Sequence, residues 1–208
     1  MNTIDPITTP NGAEAPRFSL CVYCGSRMGN HSAFADAARA VGAWIGQNNG
    51  QLVYGGGNNG LMGIVADATL AHGGRVVGVI PQALVDKEVA KTDCTELHVV
   101  ANMHQRKALM AERADAFLAL PGGIGTFEEL FEVWAWRQLG YHDKPLGLLN
   151  VNGCYDSLLG FLNQTVDNGF VSTWQMDLLH VGTDVQQLLP TLRSAAGGVH
   201  QRVQTEQM

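Results

Sequence analysis

The stretch Phe117-Leu118-Ala119-Leu120-Pro121-Gly122-Gly123-Ile124-Gly125-Thr126-Phe127-Glu128-Glu129-Leu130 constrains the fold more than any other segment of the chain. It reads as a buried strand, a glycine loop and a helix that opens on two carboxylates. Three glycines in four residues let the backbone approach a ligand closely and turn its N–H groups inward. The helix that follows, expected over about residues 126–140, adds unpaired N–H groups and the positive end of its dipole. A strand, loop and helix joined in this way form a site for a phosphate or another anion. Glu129 needs a separate reason, because it sets a negative group beside a place built for anions. One reason is local: Thr126-x-x-Glu129 fits a capping box, in which the two side chains satisfy each other's backbone N–H groups. That reading leaves residues 121–125 unexplained, whereas a catalytic carboxylate accounts for the whole constellation.

The same strand–loop–helix rhythm runs along the chain. Apolar strands are expected at residues 18–24, 51–54, 75–80, 97–100, 116–120 and 145–150. Between and after them, helical spacing of apolar residues or cap signals mark helices from Ser32, over 61–72, from Asn102 as N-cap, after Thr126, over about 155–168 and over about 184–194. Repeated alternation of this kind implies a parallel sheet covered by helices on both faces, a three-layer α/β/α domain. Ligands of such folds bind at the carboxyl ends of the strands. Four loops converge on that edge: residues 25–29, 55–60, 102–107 and 121–129. Residues 1–17 read as a flexible leader, 18–194 as the domain and 195–208 as a frayed tail.

At 208 residues one sizeable domain is expected. A formal charge of −6 and the lack of any basic run argue against nucleic acid as a partner. No apolar stretch approaches the ~20 residues of a bilayer span, and the first 16 residues lack a signal-peptide h-region. Cys21 and Cys24 have redox-motif spacing but lie within a strand, where residues three apart face opposite sides of the sheet, so a buried structural pair is expected. Cys94 and Cys154 are isolated, and a reducing cytoplasm is the expected compartment. The seven histidines show no metal-ligand spacing, so no metal is expected, and no cofactor is expected either.

Residues 55–60, Gly-Gly-Gly-Asn-Asn-Gly, satisfy G-x-G-x-x-G, but they follow the second strand, and the next strand ends in Pro81-Gln82 instead of an acidic ribose ligand. A NAD-dependent oxidoreductase is therefore a weak reading, and a glycine turn facing a nucleotide is the better one. Arg106 and Lys107 place two cations in the first turn of a helix, against its dipole, at the ligand-binding edge; the plain alternative is a pair of surface cations. Glu128 and Glu132 share one helix face, and Glu129 points about 100° away from Glu128. Phe131, Trp134 and Trp136 form a cluster suited to core or subunit contact.

These motifs together resemble one family. Residues 121–129 match the P-G-G-x-G-T-x-x-E signature of the LOG ("lonely guy") family of cytokinin riboside 5′-monophosphate phosphoribohydrolases. Residues 103–107 match its M-H-x-R-K, residues 54–63 its Y-G-G-G-x-x-G-L-M-G, and residues 24–27 and 144–150 also fit. The resemblance covers about residues 18–193. It implies a Rossmann-like homodimer that hydrolyses the N-glycosidic bond of an N6-modified AMP to free base and ribose 5-phosphate. It also implies catalytic roles for Arg106 and Glu129, and nucleotide contacts at Ser26, Glu88, Met103, Lys107, Gly122, Gly123, Ile124, Gly125, Thr126 and Glu128. Members have often been labelled lysine decarboxylases, but none of Lys87, Lys91, Lys107 and Lys144 has a setting that suggests a pyridoxal lysine. A carrier that binds a nucleotide or cofactor without catalysis is the alternative from another class; a carboxylate beside a phosphate favours the enzyme.

Overall fold

The computed structural model describes residues 16–85 and 90–206, with 198–206 as backbone alone. The apolar runs pair into one seven-stranded sheet, all parallel: β1 (Ser19–Tyr23), β2 (Gln51–Tyr54), β3 (Arg75–Pro81), β4 (Glu96–Val100), β5 (Ala116–Ala119), β6 (Leu146–Leu149) and β7 (Leu179–Gly182). Their order across the sheet is β4-β3-β2-β1-β5-β6-β7. The chain thus winds outward from β1 to one edge, returns to the centre with β5, and winds out to the other edge. Between β1 and β5 the connecting loops leave in opposite directions, which opens the crevice where open α/β sheets bind ligands.

Side chains alternate along each strand, and this divides the core into two layers. Leu20, Val22, Leu118 and Leu120 pack with α1 (Ser32–Gln47), α2 (Gly60–Ala71) and α7 (Val185–Glu206). Cys21, Tyr23, Phe117 and Ala119 pack on the other face with α3 (Met103–Glu112), α4 (Ile124–Gln138) and α5 (Asp156–Asp167). Leu20, Phe117, Leu118 and Leu120 are fully buried, each such side chain contributing about 1.5–3 kcal/mol.

The sequence reading differs from the structure in three places. The short helix α6 (Thr173–Met176) and the edge strand β7 were not anticipated; β7 has only four residues and only Leu179 is buried. Helix α7 continues to Glu206, past residue 194 where the sequence reading stops it, so residues 195–206 extend that helix. Helix α4 begins at Ile124, two residues before Thr126, with Gly123 as its N-cap. This last shift bears directly on the site. Among the described residues no helix is long and apolar enough to cross a membrane.

Candidate active site

At the β1/β5 switch point lies a crevice of about 830 Å³, within the 300–1,000 Å³ typical of small-molecule sites. Its walls come from the loop after β1, the loop after β5 and the first turns of α4, with Arg106 from α3 at the back. The two central loops are tied by backbone bonds: Leu120 N–H donates to the Tyr23 carbonyl (2.9 Å) and Gly25 N–H to the Pro121 carbonyl (3.0 Å).

The start of α4 is open. Gly123 as N-cap offers no side-chain cap, and a Cβ on Gly123 or Gly125 would meet nothing within 4 Å. The N-cap thus supplies no side chain to the first N–H groups of the helix, and the residues that carry them line the crevice, an arrangement suited to anions. Gly122 is required by contact: a Cβ there would overlap Thr126 Oγ1. Thr126 is 3% exposed. The capping-box reading is overturned by this register. Thr126 is the third residue of α4 and Glu129 the sixth, so neither stands where the box would require it.

Glu129 is half-buried and lines the crevice. Its charge reaches across to β1: burial pushes the Cys24 thiol well up, and the Glu129 carboxylate pushes it further. Burial likewise raises Cys21 and Tyr23, with Glu129 adding to both. These three groups stay protonated at neutral pH. Cys21 and Cys24 are free thiols in opposite core layers, but they are not the buried pair expected from sequence: Cys24 is half-buried, lies past the end of β1 and lines the crevice.

Arg106 is held by local structure on two sides. Asn102 caps α3, its Oδ1 accepting from Gln105 N–H (3.0 Å), while Gln105 Oε1 accepts from Ala101 N–H (3.0 Å). One turn in, Arg106 is 5% exposed and its Nη2 donates to the Gly55 carbonyl (3.0 Å). A Cβ on Gly55 would overlap that nitrogen. This changes the meaning of the G-x-G-x-x-G segment: Gly55 makes room for the arginine. Gly60, at φ +60°, fits against the backbone of Ser26 and Arg27, and the Leu61 N–H donates to the Gly25 carbonyl (3.0 Å). Residues 55–60 thus support the crevice from behind; only the following Leu61 and Met62 reach its wall.

Of the other residues singled out from sequence, Ser26, Met103, Gly122, Gly123, Ile124, Gly125, Thr126 and Glu128 line the crevice. Lys107 does not. Its ammonium bridges Glu128 (2.6 Å) and Glu132 (2.9 Å), tying α3 to α4; burial opposes the charge, but the two carboxylates outweigh it and raise the pKa. The surface-cation alternative fails for both residues, since Arg106 is buried and Lys107 is clasped. Glu88 lies outside the described residues. Sequence reasoning missed Cys154 and Tyr155, which complete the wall after β6, because it took Tyr155 only as a helix start. Phe34, on the helix after β1, also lines the crevice. Among the described residues no group of three or more His, Cys, Asp or Glu is placed to hold a metal.

Fold and crevice together define a Rossmann-type α/β protein with an uncapped helix start, a carboxylate and a buried arginine at one switch point. Comparison with known proteins narrows this class. A family model described as "Possible lysine decarboxylase" matches residues 62–192. A cytokinin riboside 5′-monophosphate phosphoribohydrolase of Arabidopsis thaliana, LOG3, is 46% identical over 187 residues, 90% of this chain and 86% of that protein. A second from the same plant, LOG2, is 49% identical over 173 residues, 83% of this chain and 81% of its own length. The chain belongs to the LOG family. A solved structure of the molybdenum cofactor carrier protein of Chlamydomonas reinhardtii shares the fold, with a TM-score of 0.65 at 18% identity over 86% of this chain and 98% of that one.

Proposed function

We propose that this protein is a phosphoribohydrolase that cleaves the N-glycosidic bond of AMP or an N6-modified AMP, releasing the base and ribose 5-phosphate. The observation that carries the reading is that Glu129, Arg106 and the uncapped start of α4 face a single crevice. The names of the relatives supply the substrate class, a cytokinin riboside 5′-monophosphate.

The chemistry follows from the placement. Loss of the base leaves positive charge on the ribose in an oxocarbenium-like transition state. A carboxylate at Glu129 stabilises that charge and orients or deprotonates the attacking water. The amides at the start of α4, with Thr126, hold the 5′-phosphate, so the ribose reacts from a fixed pose. The Arg106 guanidinium donates hydrogen bonds and accepts none; it positions the nucleotide and stabilises the departing charge. Ser26, Met103 and Glu128 complete the contacts, and Glu88 is assigned by resemblance alone.

The decarboxylase description of the family model does not fit these residues. Among the described residues no lysine lines the crevice: Lys91 is paired with Asp67 and Asp93, Lys107 is clasped, and Lys144 donates to the Ala111 carbonyl, while Lys87 lies outside the described residues. A Schiff-base lysine needs an amine in the pocket.

The working unit is a homodimer. Phe131 is exposed on α4 and stacks on Trp134 with ring centroids 5.8 Å apart, and Leu139 and Tyr141 extend the apolar surface at the end of that helix. Such a patch fits a subunit contact, and sedimentation as a stable monomer at micromolar concentration would contradict it. Four free thiols suit a reducing cytoplasm. The function is tested by incubating the purified protein with AMP and N6-isopentenyladenosine 5′-monophosphate and separating the products. Free base should appear from at least one; binding without base release would instead make the crevice that of a carrier.

A further inference from the structure

Residues 121–125 carry the amides assigned to the phosphate, yet glycine-rich backbone has little intrinsic preference for one shape. On the β1 side the loop is fixed by the two backbone bonds to Tyr23 and Gly25. On the β6 side the pairing ends at Ala119 opposite Leu148, so the Leu120 carbonyl lies one residue beyond the paired register. Tyr155 takes that place. Its Oη donates to the Leu120 carbonyl at 2.6 Å, and its ring stands edge-on to Phe127 in α4, with centroids 6.1 Å apart. One side chain therefore braces the loop where it leaves the sheet and again where it has become helix.

Tyr155 is itself firmly seated. It is 2% exposed, and its N–H donates to Asn150 Oδ1 (2.8 Å). Asn150 is buried, donates from Nδ2 to Asp156 Oδ1 (2.7 Å), and its N–H donates to the Gly182 carbonyl at the end of β7 (2.8 Å). The outer strands β6 and β7 are thus linked through Asn150 and Tyr155 to the start of the glycine loop. Burial pushes the Tyr155 hydroxyl above its ordinary range, so it remains a donor at every physiological pH.

We propose that Tyr155 is a positioning residue for the phosphate loop, and that through this brace it sets the preference for 5′-phosphorylated over unphosphorylated nucleosides. The proposal rests on the phosphoribohydrolase reading for its activity measurements, but not for its binding measurement. Amides that converge on a phosphate must be held closely, because a displacement of about 1 Å costs up to about a hundredfold in an oriented reaction. Losing the hydroxyl loosens the loop at Leu120 while the ring still fills its place against Phe127.

The test is Tyr155→Phe, with Thr69→Val as a control that removes a buried hydroxyl bond (Thr69 Oγ1 to the Val65 carbonyl, 2.8 Å) elsewhere in the fold. Ribose 5-phosphate affinity, measured by calorimetry, should fall about tenfold or more in Tyr155→Phe. The ratio of kcat/KM for AMP to that for adenosine should shrink by a similar factor. Thr69→Val should lower the melting temperature and leave both readouts unchanged. If Tyr155→Phe only lowers the melting temperature, with affinity and ratio within twofold of wild type, the hydroxyl is merely structural and the proposal is wrong. Should the wild-type protein release no base from any nucleotide, the enzymatic reading falls and the affinity comparison alone decides. A tenfold loss there still supports the brace; unchanged affinity, or no binding by the wild type, overturns it.

Discussion

Replacing Gly55 with alanine tests whether the glycine segment after β2 serves Arg106. Gly55 is absent from the glycines with positive φ, so alanine adopts its backbone without strain. The new Cβ would overlap Arg106 Nη2, and ordinary contact begins only near 3.4 Å, so the guanidinium must retreat and lose its 3.0 Å bond to the Gly55 carbonyl. Because the obstructed atom is the far end of a flexible side chain, the cost falls on the aim of Arg106 and not on the fold. A charge-assisted bond of this kind is worth about 1.5–3 kcal/mol, which corresponds to roughly a ten- to hundredfold loss of kcat/KM for AMP. Base release followed by chromatography reads the effect, with circular dichroism to check the fold. If both changes act through the same guanidinium, the double variant Gly55→Ala/Arg106→Ala should be no slower than Arg106→Ala alone. A folded Gly55→Ala protein with activity within twofold of wild type, or full additivity in the double variant, would refute the reasoning.

Three further outcomes are expected. Adenosine should be about a thousandfold poorer a substrate than AMP, in turnover as well as binding, since several amide bonds to a phosphate hold the ribose in its reactive pose; equal rates of adenine release from the two would contradict the assignment. Gly122→Ala should reduce that preference by driving a Cβ into Thr126 Oγ1, whereas Gly123→Ala, with open space around its Cβ, should do so only through contact with the nucleotide; the AMP-to-adenosine ratio of each variant checks this. Burial opposes ionisation of Glu96, but bonds from His98 and Arg75 outweigh it and hold the carboxyl below its ordinary range. The stability this gives is complete above the unfolded pKa and is lost as pH falls through the lower folded value. Glu96→Gln should therefore flatten the decline of melting temperature below about pH 4.5.

Local signals made most of this fold readable in the sequence. Fully buried parallel strands such as Ala116-Phe117-Leu118-Ala119 are continuous apolar runs, and the cap at Asn102 is a local interaction; the strand stands within one residue of where it is expected and the cap at the expected residue. The opposite facing of Cys21 and Cys24, and the shared face of Glu128 and Glu132, follow from strand and helix periods alone. The features that could not be read depend on distant contacts. Gly55 and Arg106 are 51 positions apart, and Tyr155 and Leu120 are 35 apart. Neither pairing leaves a mark on local spacing. The sequence places the start of α4 too late because Thr126-x-x-Glu129 mimics a capping box, while the actual cap, Gly123, has no side chain to announce it. Strand β7 escaped because a half-exposed edge strand of four residues carries little apolar signal.

The central claim is that Glu129 performs chemistry beside a site built for a phosphate, and Glu129→Gln tests it most directly because it removes charge and basicity but little volume. Wild-type and variant proteins would be compared for AMP and N6-isopentenyladenosine 5′-monophosphate binding by calorimetry and for base release under single-turnover conditions. The variant should bind within about tenfold of wild type, since an isosteric amide disturbs little of the crevice, and should release no measurable base. A Glu129→Gln protein that binds normally and still releases base at the wild-type rate would contradict the account, and would leave that carboxylate without a catalytic role.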